Sequence, residues 1–172
     1  MNKTYLLLGS NIGKRELFLS QALEEIEKSA GKIIDRSSLY NTAAWPARTT
    51  DKTGGGKTDQ NDFLNQAICI ETGLSSQELL ADLLNIEKKM GRTRDQKWEA
   101  RTIDIDILFF NDDIIETAHL TIPHPYLHKR KFALIPLSEI APNLIHPGMK
   151  KSIHKLLSEC EENLSVVRLK ID

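Results

Sequence analysis

In the stretch Thr102 to Phe110, TIDIDILFF, two aspartates stand two positions apart. Strand side chains alternate between faces, so Asp104 and Asp106 point one way while Ile103, Ile105 and Ile107 point into a core. Two steps of ~3.3 Å put the two backbone positions about 6.6 Å apart, near enough for both carboxylates to share one or two hard cations. Taken alone, the same alternation also describes an ordinary half-buried strand with a solvated acidic face. The preceding segment shifts that balance. Lys88 to Arg101, KKMGRTRDQKWEAR, carries six basic residues against two acidic ones and delivers Arg101 three positions before Asp104. Magnesium binds through one or two carboxylates plus substrate phosphates, and guanidinium forks match phosphate oxygens. Carboxylates beside arginines therefore point to metal-assisted transfer from a polyphosphate. Lys88, Lys89 and Lys97 read as solvated surface charge.

Other chemistry-bearing patterns lead nowhere comparable. GGGKT, Gly54 to Thr58, looks like the end of a phosphate-binding P-loop, yet the required first glycine falls on Asp51. Its flanks are also wrong: TAAWPARTT upstream is no buried strand, and Asp59-Gln60-Asn61-Asp62 downstream is turn-like rather than a helix. The segment reads as a long Gly/Thr/Lys-rich loop, and any ATP must be held by other residues. His124 and His128 are spaced i, i+4, but Pro125 lies between them and no third ligand is at hand, which argues against zinc. Cys69 and Cys160 are 91 positions apart with no CxxC, so neither a disulfide framework nor a zinc site is suggested.

The elements that must position the acidic pair follow from periodicity. Thr4 to Gly9 reads as a buried strand ending in a tight turn at Gly9-Ser10-Asn11. Leu19, Ala22, Leu23, Ile26 and Ala30 recur at helical spacing, with Gly31 where a C-cap belongs. Lys32 to Tyr40 reads as a strand. Phe63 to Thr72 is another, with Leu64, Ile68 and Ile70 on one face and Phe63, Asn65, Ala67 and Cys69 on the other. Ser75 and Glu78 form a capping box for a helix striped by Leu79, Leu83, Ile86 and Met90 and stopped at Gly91. With the strand at Thr102 to Phe110 the order is βαββαβ, an α+β ferredoxin-like sandwich. After the Pro-punctuated TIPHPYLHKRKFALIPL come a helix near Lys150 to Glu161 and a last strand, Leu164 to Ile171, so the C-terminus adds helical and strand elements to the sandwich. The 172 residues fit a single domain, 1–172, long enough to bury a real core.

WEARTIDIDILFF, with GRTR before it, IPHPYLHKRKF after it and GSN near the start, resembles the 6-hydroxymethyl-7,8-dihydropterin pyrophosphokinase family over nearly the whole chain. The resemblance implies a ferredoxin-like fold, two magnesium ions, and transfer of pyrophosphate from ATP to the pterin's hydroxymethyl oxygen, leaving AMP, in folate biosynthesis. It also implies roles. Asp104 and Asp106 look like magnesium ligands, and Arg92, Arg94 and Arg101 like the catalytic phosphate contacts. His124 and Arg130 resemble an ATP-binding pair, with Glu87 and Ile107 as lesser ATP-site residues. Phe63 and Phe132 resemble the two aromatic faces around the pterin, Asn65 its hydrogen-bonding partner, and Thr42 and Trp45 its edge. A flat polar heterocycle suits stacking on both faces and amide groups at its rim. This chain departs from the family pattern in Trp98-Glu99-Ala100-Arg101 for Trp-Gly-Pro-Arg, in Ala43 after Thr42, and in its longer Gly54-Gly55-Gly56 loop.

RNA-recognition modules share the βαββαβ order, but they present aromatics and basic residues on the sheet where this chain offers Asp104 and Asp106, which repel phosphate without a metal. A formal net charge of −1 argues against a dedicated nucleic-acid surface. No run approaches the ~20 apolar residues of a membrane span, and KTYLLLGS is no signal peptide. The expectation is a cytoplasmic monomer acting on small molecules, with no nucleic-acid or membrane partner.

Overall fold

The computed structural model describes residues 1–43, 61–91 and 102–170. β1 (Asn2–Ser10) is buried from Thr4 onward, and α1 (Arg15–Ser29) turns Leu19, Ala22 and Ile26 inward at the expected spacing. β2 (Lys32–Arg36), β3 (Tyr40–Thr42) and β4 (Phe63–Thr72) follow. α2 (Ser76–Lys89) opens on the Ser75/Glu78 capping box, and Gly91, at φ +89°, takes the left-handed conformation that ends it. β5 (Asp104–Phe110) carries the acidic pair. A small hairpin of β6 (Ile115–Glu116) and β7 (Thr121–Ile122) leads to a 3-10 turn, Leu127–Lys129, then α3 (Lys131–Ile140), α4 (Ile153–Glu159) and β8 (Val166–Arg168).

The main sheet runs β5-β1-β4-β3-β8, with β2 also on β4, and all its pairings are antiparallel. The expected strand Lys32 to Tyr40 is split. At the break the Ser37 N–H donates to the Ala67 carbonyl at 2.9 Å. Ser37 Oγ accepts from the Ala67 N–H at 3.0 Å, and Gln66 Nε2 donates to the Ser37 carbonyl at 2.7 Å. Side chains thus replace a stretch of ladder, and β2 and β3 lie along one edge of β4 as a single interrupted strand. Counted so, the chain is the α+β ferredoxin-like βαββαβ sandwich, with α3, α4 and β8 as additions.

Both faces of the sheet are covered. Leu6, Leu8, Leu64, Ile68, Ile70, Ile105 and Ile107 pack with the buried stripes of α1 and α2. On the opposite face Tyr5, Leu7, Ala67, Cys69 and Phe109 meet Ala133, Leu134 and Leu137 of α3 and Ile153 and Leu156 of α4. The register shift between Tyr5 and Leu6 lets Leu108 and Phe109 both join this second core. α3 is an element the sequence reading left out, because Pro136 sits within it. The helix forms anyway because burial of its apolar side against the sheet outweighs one lost backbone bond. Pro136 only withholds the N–H that would otherwise serve the carbonyl of Phe132.

Two glycines have other reasons than the ones expected. Ala30, not Gly31, is the C-cap of α1. A Cβ on Gly31 would collide with the Glu71 carbonyl and the Thr72 side chain, so glycine is needed where α1 meets β4. Gly9 lies inside β1 rather than in a turn. The C-terminal helix and strand are shorter than expected. Ser152 caps α4 by accepting from the Lys155 N–H at 3.1 Å. Cys69 and Cys160 are free thiols. Among the described residues, no helix is long and apolar enough to cross a membrane.

Candidate active site

Asp104 and Asp106 stand on the face of β5 opposite α1 and α2, paired with Gly9 and Leu7 of β1. Both are partly exposed, and Asp106 Oδ2 lies 3.7 Å from Arg130 Nη1. That guanidinium also rests against the rings of Tyr126 and Phe132, at 5.6 and 5.7 Å from their centroids. Burial draws Arg130 below its usual pKa, while Asp106 and Asp104 pull it back up. Its Nη1 is 3.3 Å from His124 Nε2.

His124 follows the cis Ile122–Pro123 peptide and is fixed by its own N–H, which donates to the Leu108 carbonyl at 3.1 Å. Burial, and then the charge of Arg130, push its pKa down to about 4 against the opposing pull of Asp104, so the imidazole is neutral at pH 7. The Tyr126 N–H donates to Nδ1 at 3.2 Å. In a neutral ring that bond places the proton on Nε2, so Nε2 and Arg130 Nη1 are two donors side by side that cannot bond one another. Imidazole and guanidinium therefore both offer N–H groups to the space beside Asp106, an arrangement suited to an anionic oxygen accepting from both.

A cleft of about 420 Å³ runs along the outer edge of β5, between α2, the 117–121 turn and the His124-Pro125 pair. Asp104, Asp106, Ile107, Glu87 and His124 all line it. An edge strand leaves N–H groups unladdered. Here the Ile105 N–H donates to Glu87 Oε1 at 2.8 Å, and that carboxylate is only 2% exposed. Among the described residues there is no group of three or more side chains fit to hold a metal. Two hard carboxylates open to a cleft nevertheless fit magnesium, which takes one or two carboxylates and completes its shell with water and substrate phosphate.

Across the sheet, Asp104, Gly9, Asn65 and Tyr40 are successive cross-strand partners. A Cβ on Gly9 would lie 2.6 Å from Asn65 Oδ1 and 3.5 Å from Phe63 Cδ1. Glycine thus lets Asn65 and Phe63 lean over β1 toward the acidic pair. Asn65 is nearly buried, and its Nδ2 donates to Thr42 Oγ1 at 2.6 Å. Phe63 shares the face of Asn65, and Phe132, on the first turn of α3, packs on the same side of the sheet.

The fold thus gathers Glu87, Ile107, His124, Asp104 and Asp106 at one cleft, with Arg130 reaching it through Asp106. It sets Thr42, Phe63, Asn65 and Phe132 on the face beside it. Trp45, Arg92, Arg94 and Arg101 lie outside the described residues. The sequence reading missed Gly9, although an isolated glycine within a strand pattern signals close backbone approach. It also missed Arg15, whose Nη1 donates to Asn41 Oδ1 at 2.9 Å and to the Asp62 carbonyl at 2.7 Å. Glu139 escaped it too: this carboxylate accepts from the Ser38 N–H at 3.0 Å, Ser38 Oγ at 2.8 Å and Tyr40 Oη at 2.8 Å. No local pattern announces either cluster.

Known proteins resemble this chain at both levels. A 2-amino-4-hydroxy-6-hydroxymethyldihydropteridine pyrophosphokinase of Aquifex aeolicus is 40% identical over 159 residues, covering 92% of each chain. Its Bacillus subtilis namesake is 44% identical over 140 residues, 81% of this chain and 78% of its own. The fold matches that of a Plasmodium falciparum HPPK-DHPS crystallised with pteroate, at a TM-score of 0.73 and 20% identity. That match covers 92% of this chain but spans only 44% of the longer one. Residues 5–142 match the model of the 7,8-dihydro-6-hydroxymethylpterin-pyrophosphokinase family. Sequence, fold and the acidic pair at its cleft agree, and the chain belongs to that family.

Proposed function

We propose that the β5 cleft holds the nucleotide, and the Gly9–Asn65 face the pterin, in this family's reaction. That reaction transfers pyrophosphate from ATP to the hydroxymethyl group of 6-hydroxymethyl-7,8-dihydropterin, giving the pterin diphosphate and AMP in folate biosynthesis. The observation that carries the reading is the cross-strand register Asp104–Gly9–Asn65, which sets a carboxylate pair between a cleft and an aromatic, amide-bearing face. AMP keeps only the α-phosphate, so the hydroxymethyl oxygen bonds to the β-phosphorus and the bond from that phosphorus to the α–β bridging oxygen breaks.

In this reading Glu87 and Ile107 line the nucleotide's place, while His124 and Arg130 donate to phosphate oxygens. Arg92, Arg94 and Arg101 add positive charge where negative charge grows on the leaving phosphate. Phe63 and Phe132 hold the ring faces, and Asn65, Thr42 and Trp45 its edge. The Asn65 amide, tied to Thr42, keeps Oδ1 toward the site as an acceptor for ring N–H groups. Two magnesium ions held by Asp104 and Asp106 would supply neutralisation of the polyphosphate charge. Residues 1–172 work as one domain, since β8 extends the sheet that carries the site. The enzyme is read as a cytoplasmic monomer; its free thiols suit a reducing compartment.

A coupled assay for AMP, run with ATP, magnesium and the hydroxymethyl pterin, tests this. Asp104→Asn and Asp106→Asn are each expected to slow turnover by about 100-fold or more, about 2.7 kcal/mol, with the melting temperature nearly unchanged. Near-normal rates at saturating magnesium would remove both carboxylates from the chemistry.

A further inference from the structure

The family model ends at residue 142, yet the chain beyond it returns to both pockets. The Ala43 N–H donates to the Ser165 carbonyl at 3.1 Å, and Val166 pairs with Thr42. Just upstream, Glu162 Oε2 accepts from the Lys131 N–H at 2.7 Å, across 31 positions of sequence. Lys131 opens α3, whose N-cap residue, Arg130, makes no side-chain capping bond. The first N–H groups of a helix need acceptors from elsewhere, and a carboxylate there also complements the helix dipole.

This cap matters more here than at most helices. Pro136 supplies no N–H to the carbonyl of Phe132, so the first turn of α3 lacks one of the bonds that would tie it to the next. That turn carries Phe132, with Arg130 just ahead of it, the two residues on either side of Lys131. Their side chains touch, so a shift at Lys131 moves both. Burial raises the pKa of Glu162, against the opposing pull of the Lys131 N–H and then of the Arg130 charge.

We propose that Glu162 is a positioning residue for both substrates: its carboxylate fixes the first turn of α3, so that Arg130 meets the nucleotide phosphates and Phe132 meets the pterin ring. This rests on the roles given above to Arg130 and Phe132. No local pattern marks Glu162, because its partner is set by the tertiary path of the C-terminal segment.

The test is equilibrium binding of a non-hydrolysable ATP analogue with magnesium and, separately, of the hydroxymethyl pterin, alongside melting temperatures. Glu162→Ala is expected to weaken both ligands about five- to tenfold, the scale of one lost hydrogen bond. Glu162→Gln keeps an acceptor for the Lys131 N–H and is expected to restore pterin affinity to within about twofold of wild type. Glu161→Ala, an exposed neighbour, should change neither. Should Glu162→Ala fail to fold, Glu162→Asp decides: its carboxylate, drawn back by one methylene, should weaken both ligands several-fold. Wild-type affinities in Glu162→Ala or Glu162→Asp overturn the proposal, as does a Glu162→Gln protein that binds pterin no better than Glu162→Ala. Arg130→Ala and Phe132→Ala separate the two layers. If these lose nucleotide and pterin affinity respectively while the Glu162 variants do not, Glu162 alone is wrong; if neither loses affinity, the site reading falls and the proposal with it.

Discussion

At Gly9 the absence of a side chain sets the shape of the site. Its backbone carries the pairing from Asp104 on one side to Asn65 on the other, and Asn65 Oδ1 occupies the space a methyl group would need. Gly9→Ala would have to displace a buried amide already bonded to Thr42. We expect pterin affinity to fall about tenfold and stability by about 1–3 kcal/mol, the usual range for overpacking. Binding of the ATP analogue, which the proposed site puts on the other side of the acidic pair, should stay within about twofold by the same reasoning. Titration of both ligands checks this, and unchanged pterin affinity would detach Asn65 from the pterin.

Among elements, β3 depends most on its neighbours. Its three residues are held by β4 inside, β8 outside and Glu139 of α3 from above. The Tyr40 hydroxyl donates to Glu139, which also lies 3.6 Å from Arg168 of β8. Burial, and then the hydrogen bond to the Glu139 carboxylate, push the Tyr40 phenol up to about 12, with Arg168 pulling the other way. In the unfolded chain the phenol titrates near 10. Between those values the folded protein keeps a proton that the unfolded chain has lost. The contribution of Tyr40 is therefore complete below about pH 10 and is lost as the pH rises toward 12. Denaturation midpoints across this window should fall more steeply for wild type than for Tyr40→Phe. Parallel curves would show that the phenol's proton has no part in holding β3 to α3.

For the molecule as a whole, the two pockets are built on different parts of the frame. The proposed nucleotide cleft belongs to α2, β5 and the turn after it; the proposed pterin face belongs to β3, β4 and α3. Residues 44–60 connect β3 to β4 in sequence, and Arg15 of α1 bonds Asn41 and Asp62 on either side of them. Asn41 Nδ2 in turn donates to Asp62 Oδ2 at 2.9 Å. With Asn41 and Asp62 clamped together, removal of Lys52 to Thr58 should leave affinity for a non-hydrolysable ATP analogue largely unchanged and alter pterin binding or product release. A tenfold loss of analogue affinity, about 1.4 kcal/mol, would mean that GGGKT holds phosphate after all.

What the sequence determined by itself was local. The stripes of α1 and α2, the Ser75/Glu78 box, the stop at Gly91 and the shared face of Asp104 and Asp106 all follow from spacing within a few residues, where backbone geometry alone dictates which side chains meet. Only the tertiary structure decided the rest. α3 survives Pro136 because an apolar face lies beneath it. The strand from Lys32 breaks at Ser37 because the Ser37 hydroxyl and the Gln66 amide of β4 replace its ladder. Gly31 and Gly9 are glycine because distant atoms crowd them. His124 owes its depressed pKa to burial and to Arg130 across a turn, and the start of α3 is capped by a glutamate in the C-terminal segment. Each of these depends on groups that chain topology brings together, and no window of sequence contains both partners with the packing that makes them interact.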